Sequence, residues 1–210
     1  MKKHKDTYHH GHLAESLLDA VDEIATQFGI EAVTLRACAR HLDVSPSSAF
    51  RHYADKRALL TAFATRALRQ MGQAMQAARD DAHVTGEHPF LAVGVAYVTF
   101  AIDKPAFFRA MWREDTIYCQ DADYLSAAHE LAGYLQGGFV DTLEDDDPEA
   151  FSPKELLAWS SVHGLAGLFV DGPVARSKSR EQKIVLAKQM IAALAPALLA
   201  GGDGAPDDAP

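Results

Sequence analysis

Ser45, Pro46, Ser47, Ser48, Arg51 and His52 crowd into one short stretch, with Thr34 and Arg36 before it and Lys56 after it. Hydroxyls, a guanidinium, an imidazole and an ammonium at this density suit hydrogen bonding to anions and to the edges of bases. Hydroxyl donors and the free N–H groups at a helix start match phosphate oxygens. Side chains in the first turn of a helix lying in the major groove reach base edges. The run from Thr34 to Tyr53 reads as two short helices joined by a tight turn at Asp43-Val44. The second helix is expected to turn Ser47, Ser48 and Arg51 outward. It hides Ala49, with Phe50 and Tyr53 as its hydrophobic anchors. Double-stranded DNA is the partner this pattern implies. Lys56 and Arg57 open the following helix, where cations oppose the helix dipole by ~0.3–1 kcal/mol. Two of them there suggest an outside anion, or else simply solvated surface charge.

Other clusters are less specific. Tyr8-His9-His10-Gly11-His12 is either an arm flanking a nucleic-acid backbone or a set of three imidazoles for a metal. No carboxylate or cysteine stands at ligand spacing beside it, so neither metal nor cofactor is expected. The acidic run Glu144–Asp147 lacks the spaced oxygens and glycine turn of a calcium loop and reads as a solvated loop. Tyr97, Phe108, Met111, Trp112, Tyr134, Trp159 and His163 either fill a helical core or wall a cavity for a small molecule. Trp159 and His163 are four apart and share a helix face. An enzyme using His163 with a carboxylate such as Asp171 has only residue types in its favour. Nucleophile motifs, phosphate-cradling loops and metal sets are missing.

The elements that must position these groups are helices. Strand-like alternation is absent. Leu13, Leu17, Val21, Ile24 and Phe28 form one apolar stripe, which Gly29 stops. Thr34 caps a helix with Leu35, Ala39 and Leu42 inside, and Ser45 caps the next with Pro46 at its first position. Asp55 caps a long helix carrying Leu59, Leu60, Phe63, Ala67, Met71 and Met75. Further helices are expected over about 89–101, from Pro105, over about 119–143, after a Ser152-Pro153-Lys154-Glu155 capping box, and over about 180–199, with Pro196 bending or ending the last. The spacing therefore predicts an all-α protein. It divides into a basic N-terminus at 1–7, a helix-turn-helix domain at 8–69, a larger helical domain at 70–200 and a disordered tail at 201–210.

Charge follows that division. The 210-residue chain has a net charge of -9. Residues 1–69 carry 10 Lys+Arg against 8 Asp+Glu, a net of +2, whereas residues 70–210 carry 10 against 21, a net of -11. Such asymmetry suits a chain whose first third meets an anion. Apolar runs long enough to span a membrane are lacking. The basic start is followed by no apolar stretch, so a signal peptide is not expected. Cys38 and Cys119 belong to no CxxC pair and read as reduced thiols of a cytoplasmic protein.

Residues 8–69 resemble the DNA-binding domain of the TetR family of transcriptional regulators. The carriers are Tyr8-His-His-Gly11, the Leu13–Phe28 stripe with Gly29, Thr34-Leu35, Val44-Ser45-Pro46, Phe50-Arg-His-Tyr53, Asp55-Lys56-Arg57 and Leu59-Leu60. Trp159, His163 and Gly164 are similar to the tryptophan–histidine–glycine signature of one subgroup's C-terminal domains. The resemblance implies a homodimer pairing through residues of about 153–173 and 180–199. It also implies a small-molecule effector in the body and a palindromic operator, most often under repression. DNA binding without an effector is the alternative. One position departs from the family: a tyrosine, whose hydroxyl commonly reaches a phosphate, is replaced by Phe50. Either that contact is lost or Ser47, Arg51 and His52 supply it.

Overall fold

The computed structural model describes residues 12–136 and 152–199, and every regular element among them is helical. In order these are α1 (Leu13–Phe28), a 3-10 turn (Ile30–Ala32), α2 (Leu35–His41), α3 (Pro46–Phe50), α4 (Lys56–Thr85), α5 (Pro89–Asp103), α6 (Pro105–Met111), α7 (Ala122–Gln136), α8 (Pro153–Val170) and α9 (Arg180–Leu199). Several sequence expectations lie outside the described residues. They are the arm at 1–11, Phe139 and the extension of α7 toward 143, the acidic loop at 144–147 and the tail at 201–210.

The chain folds as two compact units. One holds residues up to Ala67 together with Ala106–Leu125; the other holds Leu68–Pro105 and the residues from Ser126 onward. The division therefore does not follow a single cut near residue 69. The 30-residue α4 runs through that position, and the segment 106–125 joins the first unit.

In the first unit, α1, α2 and α3 pack on one another. Leu17, Val21, Val33, Cys38, Ala39, Ala49, Leu59 and Phe63 are all fully buried. Phe107 of α6 stacks on Phe63, ring centroids 4.5 Å apart and tilted by 42°. The α1 stripe holds for Leu13, Leu17, Val21 and Ile24, but Phe28 is 66% exposed. It directly precedes Gly29, whose φ of +86° redirects the chain. Leu42, expected inside, is half-buried because it is already the C-terminal cap of α2.

In the second unit, α5 packs against both α8 and α9. Gly94 permits this. A Cβ there would meet Ile191 at 3.4 Å and Val162 at 3.5 Å. The capping box forms as the sequence predicts: Ser152 N–H donates to Glu155 Oε2 at 2.7 Å, and Glu155 N–H donates to Ser152 Oγ at 3.2 Å. At the other end of α8, buried Lys183 donates to the Phe169 carbonyl at 3.0 Å, placing a cation on the negative helix end. Pro196 neither stops α9 nor shortens it, since the helix runs to Leu199. So close to the end, the missing donor concerns only the final turn.

Candidate nucleic-acid interface

Capping sets the geometry of α2 and α3. Ala37 N–H donates to Thr34 Oγ1 at 3.0 Å, and Ser48 N–H donates to Ser45 Oγ at 3.2 Å. Between them, Asp43 N–H bonds the Arg40 carbonyl at 3.2 Å and Val44 N–H bonds the Ala39 carbonyl at 2.9 Å. This paired pattern is a Schellman ending, with Asp43 at φ +56° in the position glycine usually takes. Aspartate tolerates that conformation better than most residues.

The outward side of α3 differs from expectation. Ala49 is fully buried, while Phe50 is 45% exposed. Five residues make barely more than one turn, so only one position can point straight into the core, and the small residue takes it. The anchor at the far end is Tyr53, half-buried, with its hydroxyl donating to the Ala14 carbonyl at 3.3 Å. Burial, reinforced by the nearby Glu15 charge, pushes that phenol up to about 12. Ser47, Phe50 and Arg51 are exposed at spacings of three and four and share one face. Ser45 Oγ lies 2.9 Å from Ser47 Oγ and 2.8 Å from Ser48 Oγ. Ser48, half-buried, thus leans back on the cap, and Ser47 is the more open hydroxyl.

The cations sort into two groups. Lys56 donates to the Ile30 and Glu31 carbonyls at 3.4 and 3.2 Å, closing the 3-10 turn onto α4. Arg57 donates to the Ile117 carbonyl at 2.7 Å and lies 4.7 Å over the Tyr118 ring, whose hydroxyl donates to Asp55 Oδ2 at 2.7 Å. The Ala58 N–H and that hydroxyl hold Asp55 below the usual carboxylate range. Arg57 is therefore a structural residue, contrary to its reading as an anion-facing cation. Arg66 pairs with Asp19 at 2.7 Å. Arg36, Arg40, Arg51 and His52, by contrast, are exposed and have no side-chain partner among the described residues. Arg36 and Arg40 are one turn apart on α2 and share a face. The sequence reading passed over Arg40, although its i+4 spacing from Arg36 was the signal.

The seven residues proposed for a small-molecule wall do not fall together. Phe108, Met111 and Trp112 belong to the first unit; Tyr97, Tyr134, Trp159 and His163 belong to the second. Tyr97 is buried, and its hydroxyl lies 2.9 Å from His163 Nδ1. Burial lowers the His163 imidazole below its ordinary value, favouring the neutral ring. The second unit also contains a cleft of about 690 Å³ between α4 and α5, lined by Gln73, Ala74, Ala92, Val95, Thr99 and Phe100 among others. Another, of about 470 Å³, includes Tyr134 and Gly72. Trp159 and His163 line neither. No group of three metal-ligating side chains occurs among the described residues, and no single described helix is long and apolar enough to cross a membrane.

Two short helices meeting at a Schellman turn on a capped, arginine-bearing face define a helix-turn-helix protein. Comparison with known proteins specifies it further. Residues 17–63 match the family described as bacterial regulatory proteins, tetR family. Residues 90–194 match the tetracyclin repressor-like C-terminal domain. The chain belongs to the TetR family of transcription regulators, which are not enzymes. An uncharacterized HTH-type transcriptional regulator, YobS of Bacillus subtilis (strain 168), is 32% identical over 94 residues, 45% of this chain and 48% of that protein. The match thus spans about half the length of this curated relative. Among solved structures, a Rhodococcus sp. RHA1 protein of unknown function has a TM-score of 0.69 at 24% identity, covering 90% of this chain and 98% of that one. A tetR-family regulatory protein from Rhodococcus RHA1 has a TM-score of 0.55 at 21% identity, covering 85% and 96%. The TetR-family regulator PfmR from Thermus thermophilus has a TM-score of 0.56 at 17% identity, covering 84% and 97%.

Proposed function

We propose that this chain is a ligand-responsive repressor: a homodimer that binds a palindromic operator through α2 and α3 and releases it when a small molecule occupies the second unit. The observation that carries the reading is the partition of cations. Arg57, Arg66 and Lys56 are consumed inside the fold, while Arg36, Arg40 and Arg51 are left to solvent beside the Ser45–Ser48 hydroxyls. A stretch that keeps its arginines out of internal ion pairs is suited to phosphates, each worth a counterion on binding. Thr34, Ser45, Pro46, Ser47 and Ser48 place the helix starts against the backbone. Arg51 and His52 reach bases or phosphates one turn later, and any spare donor of Lys56 adds a peripheral contact.

Support for pairing comes from α8 and α9. Leu157, Ser161, Gly164 and Leu168 recur at spacings of four, three and four, as do Val185, Gln189, Ala192 and Pro196. Leu157, Leu168 and Val185 are exposed, and a Cβ at Gly164 would meet nothing within 4 Å. The Ser160 and Ser161 hydroxyls donate to the Leu157 carbonyl at 3.1 and 2.6 Å, which satisfies them without a partner and leaves the face fit for burial. Two-fold pairing would present two copies of α3 roughly 34–36 Å apart. The cleft between α4 and α5 has the size and mixed lining of a small-molecule site and favours effector control over effector-independent binding.

The test is selection of random duplexes by the purified chain, followed by a small-molecule screen for release of the selected duplex. An enriched, two-fold-symmetric sequence is expected, with at least one compound that lowers its affinity. No enrichment would refute DNA recognition; enrichment without symmetry would refute the dimer.

A further inference from the structure

Phe50 is the one large apolar side chain on the exposed face of α3, and nothing in the fold explains its exposure. Its neighbours on that face, Ser47 and Arg51, are polar and also exposed. The inward place is filled by Ala49, and the helix is pinned by Tyr53, so Phe50 is not needed to hold α3 in position. A phenyl ring kept 45% exposed loses hydrophobic stabilisation unless a partner covers it. The surrounding charge identifies that partner's sign: Arg36, Arg40 and Arg51 are exposed without a described carboxylate. The phenyl has no hydroxyl to offer a phosphate. What remains is an apolar feature on an otherwise anionic surface. In the major groove the one such feature on a base edge is the C5-methyl group of thymine.

We infer that Phe50 is a specificity-determining residue that packs its ring on a thymine methyl in each half-site, and that Ser47 and Arg51 flank it with polar contacts. This rests on the proposed binding of duplex DNA by α3. The ring reads thymine by shape and excludes cytosine, whose edge offers a donor amine and no methyl at that place.

The experiment starts from the duplex enriched by the full chain. Each thymine is replaced in turn by deoxyuridine, which removes the methyl and keeps every hydrogen-bonding group. At one position per half-site, affinity is expected to fall about threefold to tenfold for the unaltered chain, the size of one buried methyl. Phe50→Ala should bind the thymine and deoxyuridine duplexes alike at that position, because the partner of the methyl is gone. Its side chain is exposed, so the thermal transition should be unchanged. Deoxyuridine without effect at every position overturns the inference while leaving DNA recognition intact. So does an equal loss in the unaltered chain and in Phe50→Ala, which assigns the methyl to another residue. Failure to enrich any duplex overturns DNA recognition and this inference with it.

Discussion

Arg51 and Lys56 illustrate how a side chain's internal commitments separate binding from stability. Arg51 has no described partner, so Arg51→Ala should leave the unfolding free energy within about 0.5 kcal/mol while weakening duplex binding. Lys56→Ala removes two hydrogen bonds to backbone carbonyls and should cost roughly 1 kcal/mol of stability. Thermal melts beside binding titrations check both, and a destabilised Arg51→Ala would mean a missed structural role. His163 gives a pH prediction. Its folded imidazole titrates below the ordinary 6.5 because burial disfavours the charged ring. As pH falls past 6.5 the unfolded chain takes the proton first, so stability is lost from 6.5 down to the folded value and is flat above. His163→Gln should flatten that slope relative to the parent in melts between about pH 5 and 7; parallel curves would contradict it. At this scale the sequence was partly legible. Caps at Thr34, Ser45 and Asp55 followed from residue type and position alone. Phe50 did not, because adjacent positions on a one-turn helix differ by only about 100°, and hydropathy favours placing the larger residue inside. Nor did Arg57, whose partner is a carbonyl 60 residues away in sequence.

Helix ends carry much of the local specification. At the α2–α3 turn, Asp43 sits at φ +56°, where a β-branched residue is strained. Asp43→Val should therefore cost on the order of 1–2 kcal/mol and Asp43→Gly should be near neutral, read by denaturant midpoints. Equal effects of the two would remove the strain argument. Ser152→Ala breaks one arm of a buried capping box and should cost ~1 kcal/mol, with Ser152→Thr close to the parent. Element existence was legible throughout: periodicity, prolines at helix starts and the capping box marked the helices from α1 to α9, several to the residue. What failed were statements needing tertiary context. Phe28 shows the apolar period outlasting the core it faces. Pro196 shows a breaker that sits too near a helix end to break it.

For the molecule as a whole, the charge division of the sequence anticipated an anion-facing first third, but the compact units were not legible. Segment 106–125 joins the first unit through Phe107 on Phe63 and the Arg57–Ile117 bond, contacts set by three-dimensional packing rather than by any local signal. The same holds for the cleft between α4 and α5, whose small and polar lining differs from the aromatic set that residue types suggested. Pairing through α8 and α9 gives a further prediction. Gly164→Arg should leave each chain folded but monomeric in sedimentation, with loss of tight binding to a two-half-site duplex. A dimeric Gly164→Arg would place the interface elsewhere. The most direct measurement of the central claim is the salt dependence of duplex binding by the full chain and by a variant with Arg36, Arg40 and Arg51 all changed to alanine. The slope of log affinity against log salt should be steeply negative for the parent and shallower by about 2.7 in the variant, ~0.9 for each lost phosphate contact. The melting temperatures of the two proteins should agree. Identical slopes, or no preference for any duplex over a scrambled competitor at low ionic strength, would contradict it.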